Sequence, residues 1–221
     1  GWFHCVIWPA MLFSAGLETP KTILINGFLT FNGQKISKSL GNSISPKNLI
    51  AKYPADSIRY YVCRNFVFGE DGDFSEKNLG ERHNNELANK LGNLVSRTTS
   101  LAEKNNIEKS ENNLLKKLNI KKIESLFENY EFDKVLNEIF SFIDICNEYV
   151  QEKKLWETKN KKQIYEVLDS IKAVSILLWP FIPETSKKIS KNLNFEIKFE
   201  NITKPLETRK IKKSEVLFNK I

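Results

Sequence analysis

A short segment rich in lysine and serine, residues 33 to 41, holds the side chains best suited to chemistry in this chain. Two lysines and two serines lie between bracketing glycines: Lys35, Ser37, Lys38 and Ser39. Lysine supplies a mobile positive charge and serine a hydroxyl donor, so these side chains together suit phosphate oxygens. A strand that leads into such a glycine-bracketed loop is a common way to bring ammonium groups to a phosphate. Taken alone, the same spacing also fits a solvated basic turn.

A second set of polar side chains lies on a long helical pattern further along the chain. Asn89, Asn93 and Arg97 recur every four residues, a spacing that keeps side chains nearly stacked on one helix face. Amide and guanidinium groups can hydrogen-bond base edges, and a tryptophan such as Trp156 can stack on an unpaired base. An exposed polar helix face and a core tryptophan are the alternative interpretation of these four residues.

Elements of an α/β domain surround the basic segment. Apolar residues with helical spacing predict a helix over residues 2–15. The apolar run over residues 22–30 predicts a buried strand that leads into the basic segment. Two short helices are expected next, over residues 46–53 and 55–65, the first opened by a Ser-Pro pair.

The remainder of the chain has a helical period almost to its end. Glycines and short acids over residues 66–75 indicate a turn, and the domain boundary is predicted there. The predicted helices cover residues 76–104, 112–129, 131–157, 160–178 and 184–193. The tail over residues 195–221 is expected to be extended or irregular. The pattern therefore predicts an α/β segment followed by an all-α bundle.

Composition limits the classes of partner and cofactor. The formal net charge of +7 favours a polyanionic partner, but only weakly, because lysine pairs on helices usually face solvent. Cys5, Cys63 and Cys146 are too few and too widely spaced for a disulfide framework or a zinc site, and they are interpreted as buried hydrophobes. With only His4 and His83 as histidines, no metal site is predicted. No apolar run approaches the roughly 20 residues of a membrane span, so we expect a cytoplasmic protein without a membrane partner.

The basic segment resembles a known family signature. Residues 35 to 39, Lys-Ile-Ser-Lys-Ser, are similar to the Lys-Met-Ser-Lys-Ser signature of class I aminoacyl-tRNA synthetases. The longer run from residue 27 to 42 resembles the version found in methionyl-tRNA synthetases, where the loop closes over ATP and its lysines stabilise charge on the α-phosphate. The resemblance implies ATP contacts by Lys35, Ser37, Lys38 and Ser39, with catalytic roles for the first three.

Two further stretches resemble the same family. Residues 87 to 97 are similar to its anticodon helix, where an Asn, an Arg four residues later and a Trp on a later helix recognise the CAU anticodon. By position these are Asn93, Arg97 and Trp156, with Asn89 as a supporting residue. Residues 3 to 12, Phe-His-Cys-Val-Ile-Trp-Pro-Ala-Met-Leu, resemble the family's methionine-pocket motif, which implies that His4 and Trp8 border the methionine side chain.

The resemblance implies the C-terminal part of a methionyl-tRNA synthetase. Its fold would be an α/β remnant of a Rossmann-type catalytic domain over residues 1–66, followed by an all-α anticodon-binding helical bundle over residues 67–221. The implied partners are methionine, ATP with Mg²⁺, tRNA(Met) and the missing N-terminal half of the same enzyme, which would also carry any zinc. The family's His-x-Gly-His motif is absent from these residues, so we expect the chain alone to be inactive. The alternatives are a non-catalytic tRNA-binding module and a leucine, isoleucine or valine synthetase.

Overall fold

The computed structural model consists of a small three-stranded sheet with its helices, followed by a helical bundle. It describes residues 1–31, 33–35, 45–207 and 211–221, and for Lys35 the backbone alone. The strands are β1 (Leu29–Phe31), β2 (Gln34–Lys35) and β3 (Gly72–Phe74). The α-helices are α1 (Trp8–Ser14), α2 (Pro46–Lys52), α3 (Ala55–Asn65), α4 (Glu76–Arg82), α5 (Asn93–Lys104), α6 (Ile120–Glu128), α7 (Phe132–Glu152), α8 (Leu155–Thr158), α9 (Lys161–Leu178) and α10 (Pro183–Leu193).

The sheet has the order β2-β1-β3 and is built around β1. Strand β1 pairs antiparallel with β2, with Thr30 opposite Lys35, and parallel with β3, with Thr30 opposite Asp73. Gly33 forms the turn between β1 and β2 at a φ of +74°, a conformation that favours glycine. The parallel pairing with β3 brings the start of the helical region beside the strand that precedes the basic segment.

The prediction of a buried strand over residues 22–30 is wrong in extent and in burial. Only its end lies in β1, and Leu24, Ile25 and Phe28 are exposed. Among the described residues, β1 pairs only with β2 and β3, and no strand lies against residues 22–28. An apolar run becomes a strand only where a neighbouring strand accepts its backbone hydrogen bonds, which the sequence pattern does not reveal.

The N-terminal helix is confirmed, but its surroundings differ from the expectation. A π-helical turn, Phe3–Ile7, continues directly into α1. Its large side chains, including those of Trp2 and Phe13, are mostly exposed. The interpretation of Cys5 as a buried hydrophobe is wrong because this helix packs against little else in the described chain. Cys146 is buried in the bundle, and burial raises its thiol pKa to about 12.

The helix predicted over residues 76–104 is confirmed as one continuous element. It runs through α4, a π-helical stretch His83–Gly92 and α5. Its apolar stripe is buried at Leu87, Leu91, Leu94 and Val95. The stripe packs against α7 and α9, and every residue of α9 from Ile164 to Leu178 is buried. The main hydrophobic core therefore lies inside the bundle.

Two predicted helices are shorter than the pattern indicated. Helix α6 begins at Ile120 rather than near residue 112, because the Asn119 side chain caps it by accepting from the Lys122 backbone N–H. Helix α7 ends at Glu152, because Lys154 adopts a left-handed conformation. The tail is irregular as expected, with one 3₁₀ turn, Phe199–Asn201. Within the described part of the chain, no helix combines the length and apolarity needed to span a membrane.

Candidate nucleic-acid interface and phosphate segment

The basic segment begins on the sheet, and its base is held by one carboxylate. Thr30 Oγ1 and the Gly33 backbone N–H donate to Asp73 Oδ1 at 2.7 and 2.8 Å. The hydrogen bond from Gly33, followed by that from Thr30, lowers the pKa of Asp73. The backbone of Lys35 lies in β2. The predicted phosphate ligands Ser37, Lys38 and Ser39 lie outside the described residues.

The two residues implied at a methionine pocket lie together on the N-terminal helix. The rings of His4 and Trp8 are 6.4 Å apart between centroids and meet edge to face. Both side chains are exposed, with 38% of the Trp8 surface accessible. Neither residue lines the open pocket found on this helix, which is formed by Val6, Ile7, Ala10, Met11, Ser14 and Ala15.

Arg97 and Trp156, which are far apart in the sequence, meet on the bundle surface. The guanidinium carbon of Arg97 lies 5.7 Å from the centroid of the Trp156 ring, within the range of a cation–π contact. With the Gln151 amide oxygen facing it, both terminal nitrogens of Arg97 donate to that oxygen at 3.1 Å. Trp156 remains 40% exposed. The arrangement leaves an aromatic face and an oriented guanidinium available to a planar ligand.

Left-handed residues position Trp156. The four-residue helix α8 lies between Lys154 and Lys159, whose φ angles are +43° and +49°. Leu155 is fully buried and anchors the turn in the bundle core, whereas the next side chain, Trp156, points outward. Non-glycine residues adopt this conformation at a cost of roughly 1–2 kcal/mol each. The surrounding structure must offset that cost to hold Trp156 at the surface.

The amide side chains form an exposed line on the long helix. Asn89 and Asn93 are both exposed, and the Asn93 side chain donates to the Asn89 carbonyl at 2.9 Å. Asn85, one turn earlier, is exposed on the same helix. The sequence prediction missed Asn85, although it continues the same spacing of four residues.

An open cavity of about 430 Å³ lies beside Arg97 and Trp156. Its lining residues come from α5, α7, α8 and the C-terminal tail: Ser96, Arg97, Ser100, Leu101, Lys104, Val150, Trp156 and Lys213. Lys104 could have been found from the sequence, because it lies seven residues after Arg97, close to two helical turns. Lys213 could not, because only the fold brings the tail to α5. Among the described residues, no cluster of three potential metal ligands occurs.

A set of buried polar contacts joins α3, which follows the basic segment, to the bundle. The Asp56 carboxylate is 5% exposed and accepts from the backbone N–H and the hydroxyl of Thr185, both at 2.7 Å. The Ser57 hydroxyl lies 2.7 Å from His83 Nδ1, and His83 Nε2 lies 2.7 Å from the Asn219 carbonyl. Burial lowers the pKa of His83, and the hydrogen bond to Asn219 acts in the opposite direction.

Comparison with known proteins agrees with this arrangement. The model of "tRNA synthetases class I (M)" matches residues 2–99, and the model of the "anticodon-binding domain of tRNA ligase" matches residues 111–220. The chain thus carries a class I tRNA synthetase segment followed by an anticodon-binding domain.

Individual relatives show which class I tRNA synthetase family the chain belongs to. The methionine–tRNA ligase of Thermotoga maritima is 36% identical over 99% of this chain and 38% of its own length. That of Rickettsia felis is 38% identical over 86% of this chain and 41% of its own. A crystal structure of Mycobacterium tuberculosis methionyl-tRNA synthetase bound by methionyl-adenylate superposes with a TM-score of 0.89 at 27% identity, over 99% of this chain and 48% of that one. The chain belongs to the methionyl-tRNA synthetase family and spans less than half the length of these relatives.

Proposed function

We propose that this chain contributes to a methionine–tRNA ligase that activates methionine with ATP and transfers it to tRNA(Met). The observation that carries the proposal is the meeting of Arg97 with Trp156 beside an open cavity, within a domain of the anticodon-binding family. An exposed tryptophan gives a stacking surface, and an arginine oriented by an amide gives directed donors for a base edge. Together they suit an unpaired anticodon base.

The proposed division of roles follows the two parts of the chain, which we propose meet near residue 66. Lys35, Ser37, Lys38 and Ser39 contact ATP, and the lysines stabilise charge at the α-phosphate. Mobile lysines suit this task because phosphoryl chemistry depends on positioning and electrostatic stabilisation. ATP acts with Mg²⁺ as a substrate complex, and His4 with Trp8 borders the methionine side chain. We further propose a cytoplasmic location.

Asn89, Asn93, Arg97 and Trp156 form the proposed anticodon-reading surface. Substituting Trp156 tests it, because base–aromatic stacking contributes about 1–3 kcal/mol per base. Trp156→Ala should weaken binding of a CAU anticodon stem-loop by about fivefold or more in a fluorescence anisotropy titration. Trp179→Ala is the matched control, since Trp179 is similarly exposed, at 46%, and does not line the cavity. Equal losses in the two variants would contradict the assignment of Trp156.

We also propose that these 221 residues do not form methionyl-adenylate unaided. The only histidines are His4 and His83, so the His-x-Gly-His motif of class I enzymes is absent from this sequence. Methionine-dependent exchange between ATP and pyrophosphate should remain at background with the isolated chain. Adding a separately produced segment that carries the motif should restore exchange if the chain is a catalytic part. If the combined segments bind the CAU stem-loop but show no exchange, a tRNA-binding module would be favoured.

A further inference from the structure

We propose that Lys104 and Lys213 form a phosphate clamp that holds the backbone of a single-stranded nucleotide whose base stacks at Trp156. The inference rests on the proposed anticodon function and adds two residues from different elements to it. Both lysines line the cavity that Arg97 and Trp156 share. The cavity thus presents three cations around an aromatic surface.

The position of Lys213 is fixed by its backbone. The Lys213 N–H donates to Glu103 Oε1 at 3.1 Å, and the Ser214 N–H donates to Thr99 Oγ1 at 3.0 Å in a buried contact. On the other side, the Asn192 side chain donates to the Lys212 carbonyl at 3.1 Å. These three hydrogen bonds fasten the tail between α5 and α10, so the side chain of Lys213 projects from an ordered backbone.

The two ammonium groups are available to an external anion. Within the described part of the chain, neither Lys104 nor Lys213 forms an ion pair. The carboxylates next to these lysines in the sequence have other partners. Glu103 accepts from the Lys213 backbone N–H, and Glu215 pairs with Lys188 at 3.5 Å. Other exposed lysines among the described residues are unpaired too, such as Lys121, but they do not line this cavity. These two lysines both line the cavity beside Arg97 and Trp156, so a negatively charged ligand there would meet two ammonium groups that are free within the described chain.

The lining of the cavity specifies the chemical class of that ligand. Trp156, Leu101 and Val150 give an apolar wall, while Ser96 and Ser100 add hydroxyl groups. A volume of about 430 Å³ is within the range of pockets that hold small organic ligands. An aromatic base against Trp156 with its phosphate at the lysines fits all of these features. A free inorganic anion uses the lysines and leaves the apolar wall without a partner.

Salt dependence tests the clamp separately from base recognition. The 221-residue chain and its Lys104→Gln and Lys213→Gln variants are titrated with a CAU stem-loop from 0.05 to 0.2 M salt. Each lost phosphate contact to a single strand should make the negative slope of log K against log salt shallower by about 0.7. Between 0.05 and 0.2 M salt, the affinity of the variant should therefore fall by a factor about 2.6-fold smaller than that of the wild type. Lys121→Gln is the matched control, because Lys121 is exposed, forms no ion pair in the described residues and lies outside the cavity. Thermal unfolding confirms that each variant is folded.

A second measurement locates the contacted phosphates. Neutral methylphosphonate linkages, introduced one at a time in the loop, should weaken wild-type binding at one or two positions. That loss should disappear in Lys104→Gln or Lys213→Gln, because the variant no longer contacts the neutralised group. If both variants keep the base preference and the salt dependence of the wild type, the clamp is refuted while the anticodon function is not. Loss of all base preference in the wild-type chain would overturn the anticodon function and, with it, the clamp.

Discussion

The capping of α10 by Asp56 gives a prediction whose size follows from the contacts. The N-cap position of this helix is Ile182, which has no side-chain acceptor. Asp56 supplies the acceptor from α3, 129 residues away, by bonding the N–H and hydroxyl of Thr185 at 2.7 Å. The first turn of a helix leaves its N–H groups without intrahelical partners, so a remote carboxylate can take the place of a local cap.

Removing the carboxylate should destabilise the chain strongly. Hydrogen bonds to charged groups contribute about 1.5–3 kcal/mol each, and buried donors left unpaired cost about 1–3 kcal/mol. A third donor, the Glu184 backbone N–H, is more distant at 3.4 Å. Because the two short hydrogen bonds come from one residue, their losses overlap, and we expect Asp56→Ala to lower the free energy of unfolding by about 3 kcal/mol. For a chain of this length the melting temperature should fall by roughly 6–12 °C. Urea unfolding, followed by circular dichroism, gives the free energy directly.

The control is a carboxylate of the same type on the surface. Asp144 accepts from Lys90 at 2.6 Å but is 42% exposed, so Asp144→Asn should cost less than about 1 kcal/mol. Thr185→Ala and the double variant complete a cycle, whose interaction energy should exceed about 0.5 kcal/mol. A cost below 1 kcal/mol for Asp56→Ala, or additive effects in the cycle, would refute the capping argument.

Two further predictions concern His83 and Lys154. Folding lowers the pKa of His83 below its unfolded value of about 6.5, so the contribution of this group to stability is full above that pH and is lost as the pH falls. His83→Gln should therefore reduce the change in the urea unfolding midpoint between pH 7.5 and 5.5. An unchanged dependence of the midpoint on pH would contradict this. Lys154→Gly should stabilise the chain by about 0.5–1 kcal/mol by relieving the left-handed conformation. At Lys153, whose φ is −79°, the same substitution should destabilise; equal effects at both positions would contradict the strain argument.

The helical bundle could be predicted from the sequence because its signal is local. The apolar stripe of the long helix recurs every three to four residues, and its members are buried as expected. The start of α6 and the end of α7 were placed wrongly, since an asparagine cap and a left-handed lysine interrupt patterns that otherwise continue. The prediction of a buried strand in the apolar run before β1 is wrong for a different reason. A strand is buried only where neighbouring strands pair with it, and periodicity does not identify those strands.

The candidate site could be predicted only in part. The spacing of Asn89, Asn93 and Arg97 indicated a shared face, while the link to Trp156 came from the family resemblance. Lys213 joins the site through hydrogen bonds that span more than a hundred residues. No local pattern encodes such a contact. The same holds for the cap that Asp56 gives to α10.

Anticodon recognition by the bundle is tested most directly by discrimination of a single anticodon base. The wild-type chain is titrated at one stated salt concentration with a CAU stem-loop and with loops that each carry one altered anticodon base. Anticodon recognition by Arg97 and Trp156 predicts a loss of about 1 kcal/mol or more, roughly fivefold in affinity, for at least one altered base. Equal and steeply salt-dependent binding to every loop would mean that the bundle presents only a basic surface, and would contradict anticodon recognition by Arg97 and Trp156.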